Sequence, residues 1–345
     1  MLCGGGTGGH IMPNLALVPL LSSRFDSIHY IAGAGDKELV TTLCPSMIYH
    51  TCESVKLHRP IVNWHNLAIP IKMLQARSVA KKLLEYIRPN VVFSKGGYAS
   101  LPVLMAAKSL QIPYILHESD KTMGVANALC SKGAKHCLGS FESSIDKLKN
   151  GIHTGSPIRQ TIYNGDKIRV DTSNFDKKKP IVLVLGGSSG SVAINNCIRI
   201  DIVNLTEQYN IIHITGKRNA DDFRHNGYIQ IPFAYNIGDY LAAADLVVAR
   251  AGSNSLFELL ALAKPTLTIP LPKTASRGDQ IDNAKHFERL GCILNLEQKD
   301  LNPHNLCEKL GELNARKDEL IQNCRALPNV DGTQKIVDVI VGAIE

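Results

Sequence analysis

Two glycine-rich loops, each entered from strand-forming residues and left through a helix signal, restrict this chain to an α/β architecture built twice. The first runs Gly4-Gly5-Gly6-Thr7-Gly8-Gly9-His10 into Ile11-Met12-Pro13-Asn14-Leu15-Ala16-Leu17. The second, Gly186-Gly187-Ser188-Ser189-Gly190-Ser191, follows the apolar run Ile181–Leu185 and precedes Val192-Ala193-Ile194-Asn195. A strand, a turn poor in side chains and a helix N-terminus together make an anion site, because backbone N–H groups converge there and the helix dipole adds positive charge. Two such units imply two similar α/β domains facing each other across a cleft. A length of 345 residues suits two cores better than one.

The pattern between the loops supports that division. In the first half Ser27–Ala32, Val91–Ser94, Tyr114–His117 and His136–Leu138 read as buried strands. Met12–Ser23, Leu67–Ile87, Leu101–Leu110 and Ala126–Ser131 read as helices or parts of them. A polar segment without periodicity, Tyr163 to Lys179, marks a connection. The alternation then restarts with strands Ile181–Leu185, Ile211–Thr215, Leu246–Ala249 and Thr266–Ile269. Repeated βαβ units with apolar strands imply parallel sheets covered on both faces. The expected domains are residues 1–159 and 160–329, with a last helix, about Thr333–Ile344, packing back on the first domain. Only Met1-Leu2-Cys3 precede the first glycine, whereas a strand feeding such a loop has about 5–6 residues, so a shortened first strand is expected.

Composition narrows the classes. No stretch reaches about 18 uninterrupted apolar residues, so no transmembrane helix is expected. No signal-peptide pattern opens the chain. Nine cysteines without a C-x-x-C pair or zinc spacing read as reduced, mostly buried thiols of a cytosolic protein. The formal charge of +7 is local. Between positions 56 and 95, Lys56, Arg59, Lys72, Arg77, Lys81, Lys82, Arg88 and Lys95 stand against Glu85 alone, which is +7 by itself. Such a patch points to an anionic partner, or to a solvated helix face.

The first loop is neither G-x-G-x-x-G nor a Walker A sequence. No acidic residue ends a clear second strand, and no G-K-[ST] follows the glycines. Instead Thr7 and His10 lie where the backbone is bare and a ligand can approach. A histidine titrating near 6.5 suits proton transfer at neutral pH. Ser94-Lys95-Gly96-Gly97-Tyr98 and His117-Glu118-Ser119-Asp120 are further polar clusters at strand ends, where open α/β sheets bind ligands. His117 and Glu118 read either as active groups or as a hydrogen-bonded pair bracing the loops. In the second half Gly252 and Ser253 read as a turn and helix N-cap, with Glu258 one turn on. Arg277–Ala284 is a polar run able to bond sugar hydroxyls, or a surface loop.

Taken in order, these segments resemble the MurG family of glycosyltransferases. The resemblance runs through G-G-T-G-G-H with Pro13 and Leu15, Gly96–Tyr98, His117-Glu118, Gly124 and Asn127. It continues through Gly155-Ser156-Pro157-Ile158-Arg159, Gly186–Gly190, Arg250–Glu258 and Asp279–Ala284. It implies a GT-B fold of two Rossmann-like domains, and transfer of N-acetylglucosamine from UDP-N-acetylglucosamine to the muramic acid 4-hydroxyl of lipid I, forming lipid II. It assigns catalysis to His10 as base, with Glu118 as rival or orienting group. It assigns the donor to Thr7, Gly8, Asn127, Arg159, Gly187, Ser188, Ala234, Ser253, Asn254, Ser255, Glu258, Asp279 and Gln280. The acceptor falls to Gly5, Gly6, Gly9, Gly97, Tyr98, His117 and Asp120. Asp120, Ser119 and Asp279 depart from the residues most members carry there.

The same resemblance implies no obligatory metal or other cofactor, no nucleic acid, and a peripheral position on the cytoplasmic face of the bacterial plasma membrane. It also implies association with other cell-wall and division proteins. Leu67, Ile71 and Leu74 fall on one helix face with Lys72, Arg77 and Lys81 around them, a pattern suited to an anionic lipid surface or to core packing. Rival readings are a GT-B transferase with another acceptor, a UDP-N-acetylglucosamine 2-epimerase, and a non-catalytic nucleotide-sugar-binding subunit.

Overall fold

The computed structural model describes residues 1–53, 69–187 and 190–344. The chain forms two compact units, Met1–Arg159 with Asn329–Glu345, and Gln160–Pro328. The first unit is built on seven strands, β1 (Leu2–Cys3), β2 (His29–Ala32), β3 (Ile48–Thr51), β4 (Val92–Ser94), β5 (Tyr114–Glu118), β6 (His136–Gly139) and β7 (Gly151–His153). They pair in the order β3-β2-β1-β4-β5-β6-β7, every pair parallel.

Strand alternation explains the layers. Leu2, Tyr30, Phe93, Ile115 and Leu138 point to one face, where they meet Ile11, Leu17 and Leu21 of the helix Gly8–Leu21 and Ile336, Val337 and Ile340 of the helix Thr333–Gly342. Their neighbours Cys3, Ile31, Val92, Leu116 and Cys137 point to the other. There they meet Ala76, Ala80 and Leu84 of the helix Ile69–Ile87 and Val103, Leu104 and Ala107 of the helix Ser100–Ser109. Both faces are therefore covered, as a parallel sheet requires. Strand β1 has two residues yet lies in the middle of the order, pairing Leu2 with Tyr30 and Phe93, and Cys3 with Ile31 and Ser94.

The second unit carries β8 (Ile181–Leu185), β9 (Asn210–Ile214), β10 (Tyr228–Ile231), β11 (Leu246–Ala249), β12 (Thr266–Thr268) and β13 (Leu294–Asn295). The order is β10-β9-β8-β11-β12-β13, again all parallel. Both units are thus doubly wound, and each sheet reverses direction beside the strand that feeds a glycine loop.

Several local readings need correction. The first helix begins at Gly8 rather than Met12, so two of the loop glycines are helical. Strands β3, β7, β10 and β13 carry no apolar run long enough to announce them; β3 is the sheet edge and its residues are half-exposed or exposed. An acidic residue does follow the second strand: Asp36, in a short 3-10 turn beyond β2. All nine cysteines are free thiols.

Candidate active site

In the first unit the strand order reverses between β1 and β4, and the loops leaving these strands lie against each other. Gly4 and Gly96 have φ of +143° and +83°, conformations open to glycine, and a Cβ on Gly4 would lie 3.4 Å from the Gly96 carbonyl. A Cβ on Gly97 would sit 2.8 Å from the Gly5 carbonyl and 3.3 Å from His10 Nδ1. Glycine at 97 therefore lets the second loop close on the His10 ring. His10 is the third residue of its helix and half-buried; its Nδ1 is 2.9 Å from Thr7 Oγ1. Thr7, the N-cap residue, is exposed. The loop is anchored below: buried Asn14 donates to the Cys3 carbonyl and to Tyr30 Oη, and Tyr30 Oη donates to the Gly4 carbonyl at 2.7 Å. Asp36 accepts from Gly6 N–H at 2.9 Å, so one of the convergent N–H groups already holds a carboxylate.

Strand β5 contributes a second cluster, and here the geometry decides between the open readings. Glu118 is 6% exposed. Its Oε1 accepts from the backbone N–H of Ser119 (3.0 Å) and Asp120 (3.1 Å), and its Oε2 from Gly124 N–H (2.8 Å) and Asn127 Nδ2 (2.9 Å). Four donors occupy the four lone-pair positions of a carboxylate. Glu118 therefore holds the turn after β5 in shape, and the role of rival base does not fit it. Asn127, assigned to the donor by resemblance, is 3% exposed with its amide protons on Glu118 and the His117 carbonyl, so it belongs to the same brace. His117, assigned to the acceptor, is fully buried and cannot touch a ligand. It does not bond Glu118. Its Nε2 lies 2.9 Å from the Gly155 carbonyl, which fixes the proton there and leaves Nδ1 to accept from Lys95 Nζ at 2.6 Å. Burial, with the Lys95 charge second, holds this imidazole well below its ordinary value, hence neutral. Lys95, counted in the basic surface patch, is in fact 2% exposed.

The second unit repeats the arrangement with different chemistry. Its sheet reverses between β8 and β11. After β8, Gly190 adopts φ +76° and packs so closely on the Thr215 carbonyl that a Cβ would lie 1.9 Å from it. Ser191 caps the helix Val192–Ile200, its Oγ accepting from Ile194 N–H. Arg250, leaving β11, donates to Ser191 Oγ (2.6 Å), Gln298 Oε1 (2.7 Å) and the carbonyls of Ile269 (2.9 Å) and Pro270 (3.3 Å). One guanidinium thus ties the glycine loop to the ends of β11 and β12. The helix Ser253–Ala261 starts beside it with Gly252 as N-cap; Ser253, expected to cap, is instead its first residue and buried. Asn254, Ser255 and Glu258 lie on the same helix.

Gln280 accepts from Leu271 N–H at 3.0 Å, and its Nε2 would lie 3.9 Å from a Cβ on Gly252. Asp279 opens the helix Asp279–Arg289 and pairs with Arg277 at 2.9 Å. Beyond β10, Phe233 and Tyr235 meet edge to face on either side of Ala234, with Lys217 Nζ 5.1 Å and 5.6 Å from their ring centres. Gly187 lies in the loop after β8; Ser188 lies outside the described residues. Gly187, Ala234 and Ser253 therefore follow the carboxyl ends of β8, β10 and β11 in one sheet, where such sheets bind ligands, with Glu258 further along the helix that Ser253 opens and Gln280 bonded to the chain leaving β12. Among the described residues no group of three or more His, Cys, Asp or Glu could hold a metal ion.

Elsewhere in the first unit, Tyr98 is 37% exposed, Arg159 ends the first segment half-buried, and Gly5 packs on Asp36. On the helix Ile69–Ile87, the buried face is Ala76, Ala80 and Leu84, whereas Ile71 and Leu74 are 63% and 60% exposed with Lys72 and Lys81 exposed nearby and Arg77 half-buried. The apolar stripe is therefore not core. Leu67 lies outside the described residues. No helix among the described residues is long and apolar enough to cross a membrane.

Comparison with known proteins places this geometry. Residues 1–138 match the glycosyltransferase family 28 N-terminal domain and residues 181–340 the family 28 C-terminal domain. A UDP-N-acetylglucosamine–N-acetylmuramyl-(pentapeptide) pyrophosphoryl-undecaprenol N-acetylglucosamine transferase from Clostridium novyi is 40% identical over 352 residues, covering 100% of this chain and 97% of the relative. Its namesake from Clostridium tetani is 38% identical, covering 99% and 96%. Among solved structures, MurG of Acinetobacter baumannii superposes with a TM-score of 0.76 at 24% identity, covering 99% of this chain and 98% of that one. A UDP-N-acetylglucosamine 2-epimerase described as putative, from Listeria monocytogenes, reaches 0.70 at 11% identity, covering 100% and 96%. Fold likeness alone therefore spans transferases and an epimerase; the full-length relatives separate them.

Proposed function

The chain belongs to glycosyltransferase family 28, to its N-acetylmuramyl-(pentapeptide) pyrophosphoryl-undecaprenol N-acetylglucosamine transferases, and from that premise we propose how its residues divide the reaction. The enzyme moves N-acetylglucosamine from UDP-N-acetylglucosamine to lipid I. The observation that carries this reading is the full-length 40% identity to a transferase of that name.

The second unit takes the donor. The uracil meets the backbone at Phe233-Ala234, Glu258 accepts from the ribose hydroxyls, and Asp279 and Gln280 bond the sugar. The N-terminus of the helix Ser253–Ala261, with Gly187, Ser188, Asn254 and Ser255, meets the diphosphate. The first unit takes the lipid-linked acceptor at the loops Gly4–Gly6 and Gly96–Tyr98.

His10 is the base. Its neutral imidazole removes the proton of the muramic acid 4-hydroxyl as that oxygen bonds the anomeric carbon of N-acetylglucosamine. The bond from that carbon to UDP breaks, UDP leaves with the electron pair from the opposite face, and the new linkage is β-1,4. Charge developing on UDP is met by helix N–H groups, so no metal ion is required. The Thr7 hydroxyl beside Nδ1 supports this assignment, because it orients the ring. Ile71 and Leu74, with Lys72, Arg77 and Lys81, rest on the anionic cytoplasmic surface of the plasma membrane, where lipid I is presented.

The test is UDP release from UDP-N-acetylglucosamine with and without a lipid I analogue, in the unmodified chain and in His10→Ala. Acceptor-dependent release that falls about 1,000-fold in the variant is expected for loss of a general base. UDP released without acceptor, with the sugar epimerised, would replace the transferase by the epimerase reading. Removal of divalent cations with a chelator should leave the rate unchanged.

A further inference from the structure

Lys95 has no part in the reading above, and its placement is expensive. It follows β4 at the point where the first sheet reverses, its N–H on the Cys3 carbonyl of β1. Its ammonium donates to His117 Nδ1 and Ser119 Oγ, both at 2.6 Å, and neither partner is an anion. Glu118 and Asp120 act on it only through space, and the Glu118 oxygens already accept from four other donors. An ammonium buried without a contacting counter-ion is unfavourable, and an apolar side chain there would serve stability better. Apart from those two carboxylates, the groups around it carry little compensating charge. His117 on β5 is neutral, the Cys3 thiol on β1 is pushed up to about 12 by burial, and His10 stands across Gly97. Lys95 thus brings an ammonium, offset only through space by Glu118 and Asp120, to the end of β4 from which the loop Gly96–Gly97 leaves.

We propose that Lys95 is a positioning residue for the lipid-linked acceptor: its buried ammonium grips His117 and Ser119, fixes the turn after β5, and supplies the positive field that receives the acceptor's pyrophosphate, acting only while protonated. The inference rests on the assignment of the acceptor to the first unit. Burial draws the Lys95 pKa from 10.5 down to about 7, so the charge is lost as pH rises through the neutral range. The limb it produces is on the alkaline side. A neutral His10 base produces a limb on the acidic side, so the two are separable.

The experiment measures kcat/KM for a lipid I analogue, and separately for UDP-N-acetylglucosamine, from about pH 6 to about pH 9.5. The proteins are the unmodified chain, Lys95→Met and Lys95→Arg. In the unmodified chain the acceptor kcat/KM should fall as pH rises above neutrality and level off about 30-fold lower, near the Lys95→Met value, while the donor KM stays level. Lys95→Met should lower the acceptor kcat/KM at neutral pH by about 30-fold, lose the alkaline limb, and leave donor KM within about twofold. Lys95→Arg, charged at every pH used, should keep more acceptor activity than Lys95→Met and also lose the limb.

An unmodified chain with no alkaline limb overturns the proposal, as does a limb that persists in Lys95→Met. Parallel loss of donor and acceptor parameters overturns it too, because that marks general damage. If neither variant folds, the profile of the unmodified chain still decides. Absence of any acceptor-dependent release overturns the functional reading, and this inference with it; release with an unmoved profile overturns this inference alone.

Discussion

The two units share a topology but stock their reversal points differently. Around β1 and β4 the groups that brace the loops include charged side-chain types: buried Lys95 and Glu118, and half-buried Asp36, which accepts from the glycine loop. At β8 and β11 a single guanidinium, Arg250, reaches four neutral oxygens, and the loop is shaped by close backbone contact between Gly190 and Thr215. The difference suits the two tasks proposed. A nucleotide diphosphate can be held by helix N–H groups on a rigid neutral frame. A hydroxyl that must lose a proton needs a base whose surroundings are electrically set.

The comparison breaks first at His10. If proton removal belongs to the first unit alone, His10→Ala loses about 1,000-fold in acceptor-dependent rate with donor binding unchanged by calorimetry. Donor affinity that falls by a similar factor would show the two units' tasks are not separate. Glu118→Gln sharpens the point. A base replaced by its amide would silence chemistry in a stable protein. In a carboxylate with four donors, the new NH2 instead faces Gly124 N–H and Asn127 Nδ2. Stability should drop by about 4 kcal/mol, read as a urea midpoint, with residual activity in the folded fraction. Full stability with no activity would return Glu118 to the chemistry.

On the neutral side, Gly190→Ala forces a Cβ to 1.9 Å from the Thr215 carbonyl at φ +76°, whereas Gly187→Ala, at φ +85°, meets no described atom within 4 Å. The first should cost about 3 kcal/mol and the second about 1 kcal/mol, the backbone term alone. Equal losses in a thermal scan would mean the loop does not depend on backbone contact.

How much of this was legible in the sequence follows from what composition can encode. Strand β8 was readable because Ile181–Leu185 is a central strand with both faces buried, so its apolar run is unbroken. The edge strand β3, Ile48-Tyr49-His50-Thr51, is half-wet and carried no such run. The glycine loops announced both reversal points, but not that Gly8 and Gly9 would join a helix. Site residues were legible as types and positions, and burial was not. A sum of charge over residues has no inside, so Lys95 reads from the sequence as part of the basic patch. The one available signal was its place directly after the apolar Val91-Val92-Phe93 and before two glycines, where a strand end turns under a crevice. His117 reads equally as a ligand group or a brace for the same reason, and Asn127 enters by the family resemblance alone: polar residues near a strand's end either face the ligand or hold the loops that do, and only hydrogen-bond partners tell which.

The smallest test uses a feature the units share. Among the described residues each buries one histidine as a neutral ring, and the two share a tautomer. His213 on β9 points Nε2 at Asn195 Oδ1 (3.0 Å) and Nδ1 at Tyr228 Oη (2.9 Å). The Asn195 amide donates to the Thr215 carbonyl, so its oxygen must face the ring, which places the proton on Nε2. Burial first, then Arg199, draws the His213 pKa down to about 3. The sign follows directly. Below the unfolded value of about 6.5 the unfolded chain takes up a proton that the folded ring refuses, so stability is complete above that pH and lost as pH falls. From pH 6.5 to about pH 5 the loss is about 2 kcal/mol from His213. His117, also held low, adds a loss of the same sign in the first unit. Hydrogen exchange, corrected for its intrinsic pH dependence, should therefore show core amides of β5 and β9 opening more readily at the lower pH. In His213→Gln the β9 slope should flatten while the β5 slope stays. If both slopes flatten together, the units unfold as one cooperative body and their contrast is chemical only; if neither changes, His213 is not the group that titrates.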